Sequence, residues 1–408
     1  MLNLKSFIVE AKNTHMTHIE ELMFLGGIAG TKQAIDFLRD LRDMLRGNAT
    51  SAVDITVKWD GAPAIFAGVD PADGKFFVAK KGLFNKEPAM YKTPADIKKA
   101  LSGELAKKFT IALAEFSKLG IKKGVYQGDM MFTKGDVKIE TIDGQKYYTF
   151  QPNTIVYAVP VSTPLGRQIA KAKIGVVWHT TYTGSTIQNM SAAFGKGIAS
   201  KFKKTATIWM DDATYRDISG KATFSKKELS QFDTMLSGAG KLFQKMNGDA
   251  FRTITQDEEL RQKVMTFVNT YVRGSKAFPD SNKMATDLVL YLNEWFQKEI
   301  DKKKTEKAKD AWKERRDALV NKVALNKSQL VAMFSLMKIL VELKGMVITQ
   351  LDKTQEVDTL LKTAKGFQVT KQEGFVAISK LKGGAVKLID RLEFSRANFS
   401  PDIIKGWQ

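Results

Sequence analysis

The chain has 408 residues, a net charge of +20 and no cysteine, with 43% hydrophobic and 26% charged residues. Disulfides, thiolate metal sites and cysteine nucleophiles are thereby excluded, and no apolar run approaches the roughly 20 residues of a membrane span. The basic excess favours a polyanionic partner, nucleic acid first, through phosphate neutralisation and counterion release; a lysine-rich solvated surface is the alternative.

The amino terminus carries Glu10 and lacks an apolar signal core, so a cytoplasmic protein is expected. Residues 14–46 read as helical. Thr17-His18-Ile19-Glu20 fits a capping box, Gly26-Gly27 is a break, and Thr31 caps a stripe of Ile35, Leu38, Leu41 and Leu45. His15 and His18 have the spacing of metal ligands but no third partner, which favours surface or capping roles. Residues 51–81 read as three short strands. The first ends at Lys58, and Asp60-Gly61 turns the chain back as a hairpin. A lysine at the mouth of such a hairpin is partly desolvated, which favours its neutral, nucleophilic form.

Residues 94–119 follow as one amphipathic helix begun by Thr93-Pro94. Strands are expected at 124–132, 137–142, 147–150 and 154–161, with Asp143-Gly144 as a turn. A short helix at 165–171 and a strand at 174–183 come next. After Gly184 the character changes. Residues 224–365 are almost entirely helical and rich in lysine, and the charge run 301–316 reads as an exposed helical face because Trp312 and Leu319 continue the apolar stripe. Strand character returns at 372–378 and 385–390, around Lys382-Gly383-Gly384. The architecture expected is α+β, its sheet interrupted by a helical insertion and closed by a carboxy-terminal hairpin.

Lys58-Trp59-Asp60-Gly61 resembles motif I, K-x-D-G, of the covalent nucleotidyltransferases: ATP-dependent DNA ligases, RNA ligases and mRNA capping enzymes. Later stretches resemble that family's further motifs in their order. Lys80-Lys81-Gly82 stands where a basic residue serves the ribose and phosphate. Gly128-Asp129 ends a strand where the family has Gly-Glu, so Asp129 is placed on the ribose or a metal-bound water. Tyr157 is the candidate to stack on the purine, with a core aromatic as the alternative. Glu373-Gly374-Phe375-Val376 resembles motif IV, whose glutamate holds magnesium. Lys387 fits the first lysine of motif V. Ile389 replaces the second, for which Arg391, Lys380 or Lys382 would compensate. His179, in Trp178-His179-Thr180, is a core histidine or an active-site donor.

The resemblance implies a nucleotidyltransferase (ATP-grasp-like ligase) antiparallel-sheet core in residues 51–184 and 370–408, with helices 1–50 packed on it. Residues 185–369 form the helical insertion, gripping nucleic acid or acting as a lid or protein-docking module. It further implies Lys58 as nucleophile, with Lys387 lowering its pKa. Val57, Asp60, Gly61, Lys80, Lys81, Asp129, Tyr157, Glu373 and Lys387 would line the nucleotide, and Glu373 and Asp129 would hold Mg2+ or Mn2+. The activity implied is ATP-dependent joining of polynucleotide ends, RNA ahead of DNA, in an enzyme similar to large-phage members of the superfamily. A GTP-using capping enzyme, a catalytically inactive nucleic-acid-binding protein of the same fold and an assembly protein are the competing readings.

Overall fold

In the computed structural model, which describes residues 16–46, 53–194, 197–213, 222–354, 357–364, 366–379 and 385–406, the chain builds three mainly antiparallel sheets and one helical body. The elements in order are β1 (Thr17–His18), α1 (Leu22–Leu45), β2 (Val53–Lys58), β3 (Ala64–Val69), β4 (Phe76–Ala79), β5 (Met90–Tyr91), α2 (Pro94–Ala100), α3 (Gly103–Phe116) and β6 (Val125–Thr133). Then come β7 (Lys138–Ile142), β8 (Gln145–Phe150), β9 (Ile155–Pro160), α4 (Pro164–Lys171), β10 (Ile174–Thr183), β11 (Ser191–Phe194) and β12 (Ile208–Asp212). The helices α5 (Lys226–Lys245), α6 (Gly248–Gln256), α7 (Glu258–Arg273), α8 (Ser281–Asp301), α9 (Glu306–Leu325) and α10 (Lys327–Leu351) follow. The chain ends with β13 (Asp358–Thr363), β14 (Gly366–Val369), β15 (Gly374–Ser379), β16 (Ala385–Leu388) and α11 (Arg391–Phe399).

The expected α+β class is observed, but the motif I hairpin is not. β2 lies in a four-stranded sheet ordered β1-β16-β15-β2, whereas β3 lies in a seven-stranded sheet ordered β11-β10-β6-β3-β4-β5, with β12 beside β10. Residues 59–63 therefore cross from one sheet to the other. Aromatic packing anchors the crossing: Trp59 meets Tyr157 at 5.0 Å and Trp209 at 6.1 Å. The third sheet, β14-β13-β9-β8-β7, supplies Tyr157 and Phe150 to that cluster.

Period-two alternation puts Val53 and Ile55 of β2, and Phe375 and Ala377 of β15, against the helical body. The same core takes in α1 and helices α5 to α10. The amino-terminal helix packs in this same core, against the helical segment and against β2 of the four-stranded sheet. The seven-stranded sheet covers its other core with α2 through Ile97 and α3 through Phe109 and Phe116.

The domain limits expected at 184 and 370 move. β11 and β12 extend the seven-stranded sheet to Asp212, and β13 and β14 join the third sheet before residue 370. β11, β12 and β14 span only four or five residues, too few to carry a readable apolar periodicity. The expected helix at 94–119 is two helices, broken where Leu101 is extended and Gly103 takes φ +59°. The breaks at Gly27 (φ 56°, ψ −135°, inside α1) and the Asp143-Gly144 turn, both residues at positive φ, agree with expectation. Among the described residues, no helix is long and apolar enough to cross a membrane.

Candidate functional site

The carboxy-terminal hairpin positions the site. β15 pairs antiparallel with β2 so that Gly374 stands opposite Lys58, and Glu373, one residue before, reaches the lysine. The Lys58 Nζ donates a hydrogen bond to the Glu373 carboxylate across 315 residues of sequence. Glu373 is buried, while the Lys58 side chain keeps 25% of its surface exposed, enough to meet a ligand.

Two glycines allow the approach. A Cβ on Gly61 would lie 2.5 Å from the Asp129 Cβ and 3.0 Å from the Met131 sulfur. Gly61 is therefore required by contact with β6 rather than by a turn. Gly374 takes φ +151°, and a Cβ there would lie 2.5 Å from the Leu388 carbonyl oxygen. Gly374→Ala should part β15 from β16, lower stability by about 1–3 kcal/mol and displace Glu373. Urea unfolding checks this, and an unchanged midpoint would refute the packing role.

Asp129 faces the same junction from β6. Its carboxylate lies 3.7 Å from His179 Nε2, and it makes no hydrogen bond with a described residue. His179 sits where the β10–β6 register slips between Trp178 and Thr180, and bulges of this kind re-aim side chains. Its Nδ1 is 2.7 Å from the Thr180 hydroxyl. In the sequence His179 is marked by being a polar residue inside an apolar strand, which by itself assigns it no mechanism. Lys387, on β16, stands opposite Val376 and beside His18, and makes no hydrogen bond or ion pair with a described residue.

The electrostatics reverse one expectation. Burial draws Lys58 toward neutrality, but Glu373 first, then Asp129 and Asp60, outweigh it and hold the ammonium above the ordinary lysine range. Lys58 is charged in this state. Burial pushes Glu373 up to about 7, opposed by Lys58 and reinforced by Asp60 and Asp129. Burial raises Glu373 and the neighbouring carboxylates raise Lys58, so both shifts run upward. The like-charge repulsion expected on Lys58 is seen on Lys387, which burial and then Lys58 lower.

A family match runs over residues 13–402, from before α1 to beyond α11. The chain belongs to DUF6267, a family of unknown function. No curated protein and no solved structure matches the chain significantly. Lys58, Asp129, His179, Glu373 and Lys387 all lie within the DUF6267 match.

Other expected site residues have structural duties. Asp60 is buried and turned inward. It accepts from the Thr154 and Ile155 amides at 2.8 and 2.9 Å and from Asn153 Nδ2 at 2.8 Å. Tyr157 is fully buried, its ring between Trp59 and Phe150 and its hydroxyl accepting from the Asp60 amide at 2.7 Å. It offers no face to a purine and is a core aromatic. Val57 packs against the helical body and gives its N–H to the Ala213 carbonyl at 2.6 Å. Arg391 bonds Asn269 and pairs with Glu21 at 3.0 Å, so it does not replace the missing lysine. Lys380, Lys382 and His15 lie outside the described residues. Lys80 and Lys81 follow β4. The pairings Phe66 with Ala79 and Ala64 with Asp129 put them at the Asp129 end of the sheet.

Among the described residues, no three His, Cys, Asp or Glu side chains group to hold a metal. Mg2+, however, is commonly held by one or two carboxylates with waters and substrate phosphates. Asp129 and Glu373 fit that donor set.

Proposed function

We propose that this protein is a covalent nucleotidyltransferase that joins polynucleotide ends with ATP, RNA ahead of DNA, in the cytoplasm (the host's, if phage-encoded). The observation that carries the reading is the meeting of Lys58 with Glu373, 315 residues away, at a junction shared with Asp129 and Lys387. The antiparallel sheets with their helical segment support a ligase-like core.

In the proposed first step Lys58 gives up its proton through Glu373, its hydrogen-bond partner, to solvent. The Nζ lone pair then forms a bond to the α-phosphorus of ATP, the bond to the bridging oxygen breaks, and pyrophosphate leaves. AMP passes from Lys58 to a 5′-phosphate, and a 3′-hydroxyl displaces it, forming the phosphodiester. Lys387, with Lys80 and Lys81, offsets phosphate charge in these displacements as point cations. Mg2+ or Mn2+, held by Asp129 and Glu373, would neutralise the phosphate oxygens.

A chase experiment tests this reading. Protein labelled with α-labelled ATP should lose its label to 5′-phosphorylated RNA, and to DNA more slowly. Retention of label in the presence of both polymers would reject ligation, and labelling by GTP in preference to ATP would point to a capping enzyme. A second reading, a nucleic-acid-binding protein without catalysis, is favoured by the charged state of Lys58 and the occupied faces of Tyr157.

A further inference from the structure

The sequence points to the helical segment as the grip on nucleic acid, but the ion pairs there point elsewhere. Along α8 and α9, Lys302 pairs with Glu299 at 2.6 Å, Lys309 with Glu306 at 2.6 Å and Lys313 with Asp310 at 2.9 Å. Arg315 pairs with Glu259 at 2.7 Å and Arg316 with Asp317 at 2.8 Å. Much of this charge is already answered by local acids, so it presents a weak field to a polyanion.

Two loops beside the seven-stranded sheet differ. Lys122 and Lys123 lie between α3 and β6, and Lys201, Lys203 and Lys204 lie before β12. The Lys203 amide donates to the Leu119 carbonyl at 2.9 Å, and the Phe202 ring packs on Tyr126 at 4.8 Å and Trp178 at 5.4 Å. The two loops are thus fixed against each other, 80 residues apart in sequence as Lys123 and Lys203 are numbered. All five lysines are exposed, and none makes a side-chain hydrogen bond or ion pair with a described residue. Residues 117–124 and 197–207 contain no Asp or Glu. Glu115, the acid beside them, is buried and already shared by Lys118 at 2.6 Å, Lys173 at 3.7 Å and the Thr207 hydroxyl at 2.6 Å.

We infer that this five-lysine patch is where the phosphate backbone of a nucleic acid docks on the protein. Rigid loops that gather unpaired ammonium groups bear a repulsion that a row of phosphates relieves, and lysine grips phosphate as a point charge without reading sequence. The inference shares its polynucleotide partner with the proposed function. Binding is therefore measured without ATP, so that it stands or falls apart from chemistry at Lys58.

The experiment titrates a short fluorescent single-stranded RNA, and a DNA of the same length, over a salt series. The full chain is compared with a variant carrying Lys122→Gln, Lys123→Gln, Lys201→Gln, Lys203→Gln and Lys204→Gln. The patch variant should bind at least about 30-fold more weakly at low salt, with a salt slope smaller by about 3. A variant carrying Lys302→Gln, Lys309→Gln and Lys313→Gln, whose ammonium groups are already paired, should stay within about twofold of the parent. An unchanged slope in the patch variant, or a larger loss in the helical variant, overturns the assignment. If the patch variant does not fold, amine acetylation of the parent chain decides instead. RNA should protect these five lysines, and equal reactivity with and without RNA, or protection only by anionic vesicles, would overturn the proposal.

Discussion

Replacing His18 by glutamine should leave stability near neutrality almost unchanged, yet make the variant more stable than the parent by about 3 kcal/mol at about pH 4.5. His18 ends β1 and is enclosed, its Nδ1 buried and without a hydrogen-bond partner among the described residues. Burial first, then Lys344, Arg391 and Lys387 against the pull of Glu20, lower it from 6.5 to about 3. The folded state binds this proton less well than the unfolded chain. Its contribution is therefore complete above about 6.5 and is lost as pH falls toward 3. Glu373, raised to about 7, runs the other way: the folded state takes its proton first, and stability rises as pH falls from 7. The two trends offset each other in the parent, so only the difference between parent and variant isolates His18. Urea midpoints at the two pH values check it, and a pH-independent difference would contradict the account.

Asp60→Ala should cost about 3–5 kcal/mol, because it strands the Thr154 and Ile155 amides and the Asn153 side chain at a buried seam. Those three bonds tie the sheet crossing to the start of β9, so the loss should reach Lys58 through position rather than through chemistry. Urea unfolding reads the stability. A variant as stable as the parent would show that the crossing is held by Trp59 packing alone.

Part of this was legible in the sequence, for physical reasons that differ by residue. Strand periodicity marked β2, β3, β6, β9 and β10, and the order of Lys58, Asp129, Glu373 and Lys387 pointed to one junction. What escaped was partnership. Lys58 and Ala64 sit six residues apart in different sheets, and local turn chemistry at Asp60-Gly61 reads the same whether the chain folds back or crosses over. The burial of Tyr157 depends on Trp59 and Phe150, which no spacing connects to it. The bulge at His179 is a mismatch between two strands and leaves no trace in either alone. The pairing of the helical lysines, by contrast, was present in spacings such as Glu306 with Lys309 and Asp310 with Lys313. The excess of lysine overshadowed it.

The most direct test of the central claim is covalent labelling of purified protein by α-labelled ATP with magnesium, read after denaturing electrophoresis. Pyrophosphate is applied and removed beforehand to clear any resident AMP. The account predicts an acid-labile label on the parent chain and none on Lys58→Ala or Lys58→Arg, since a guanidinium keeps its proton and cannot attack. A label that persists in both variants would move the nucleophile away from Lys58, and no label with either ATP or GTP would contradict the enzyme reading altogether.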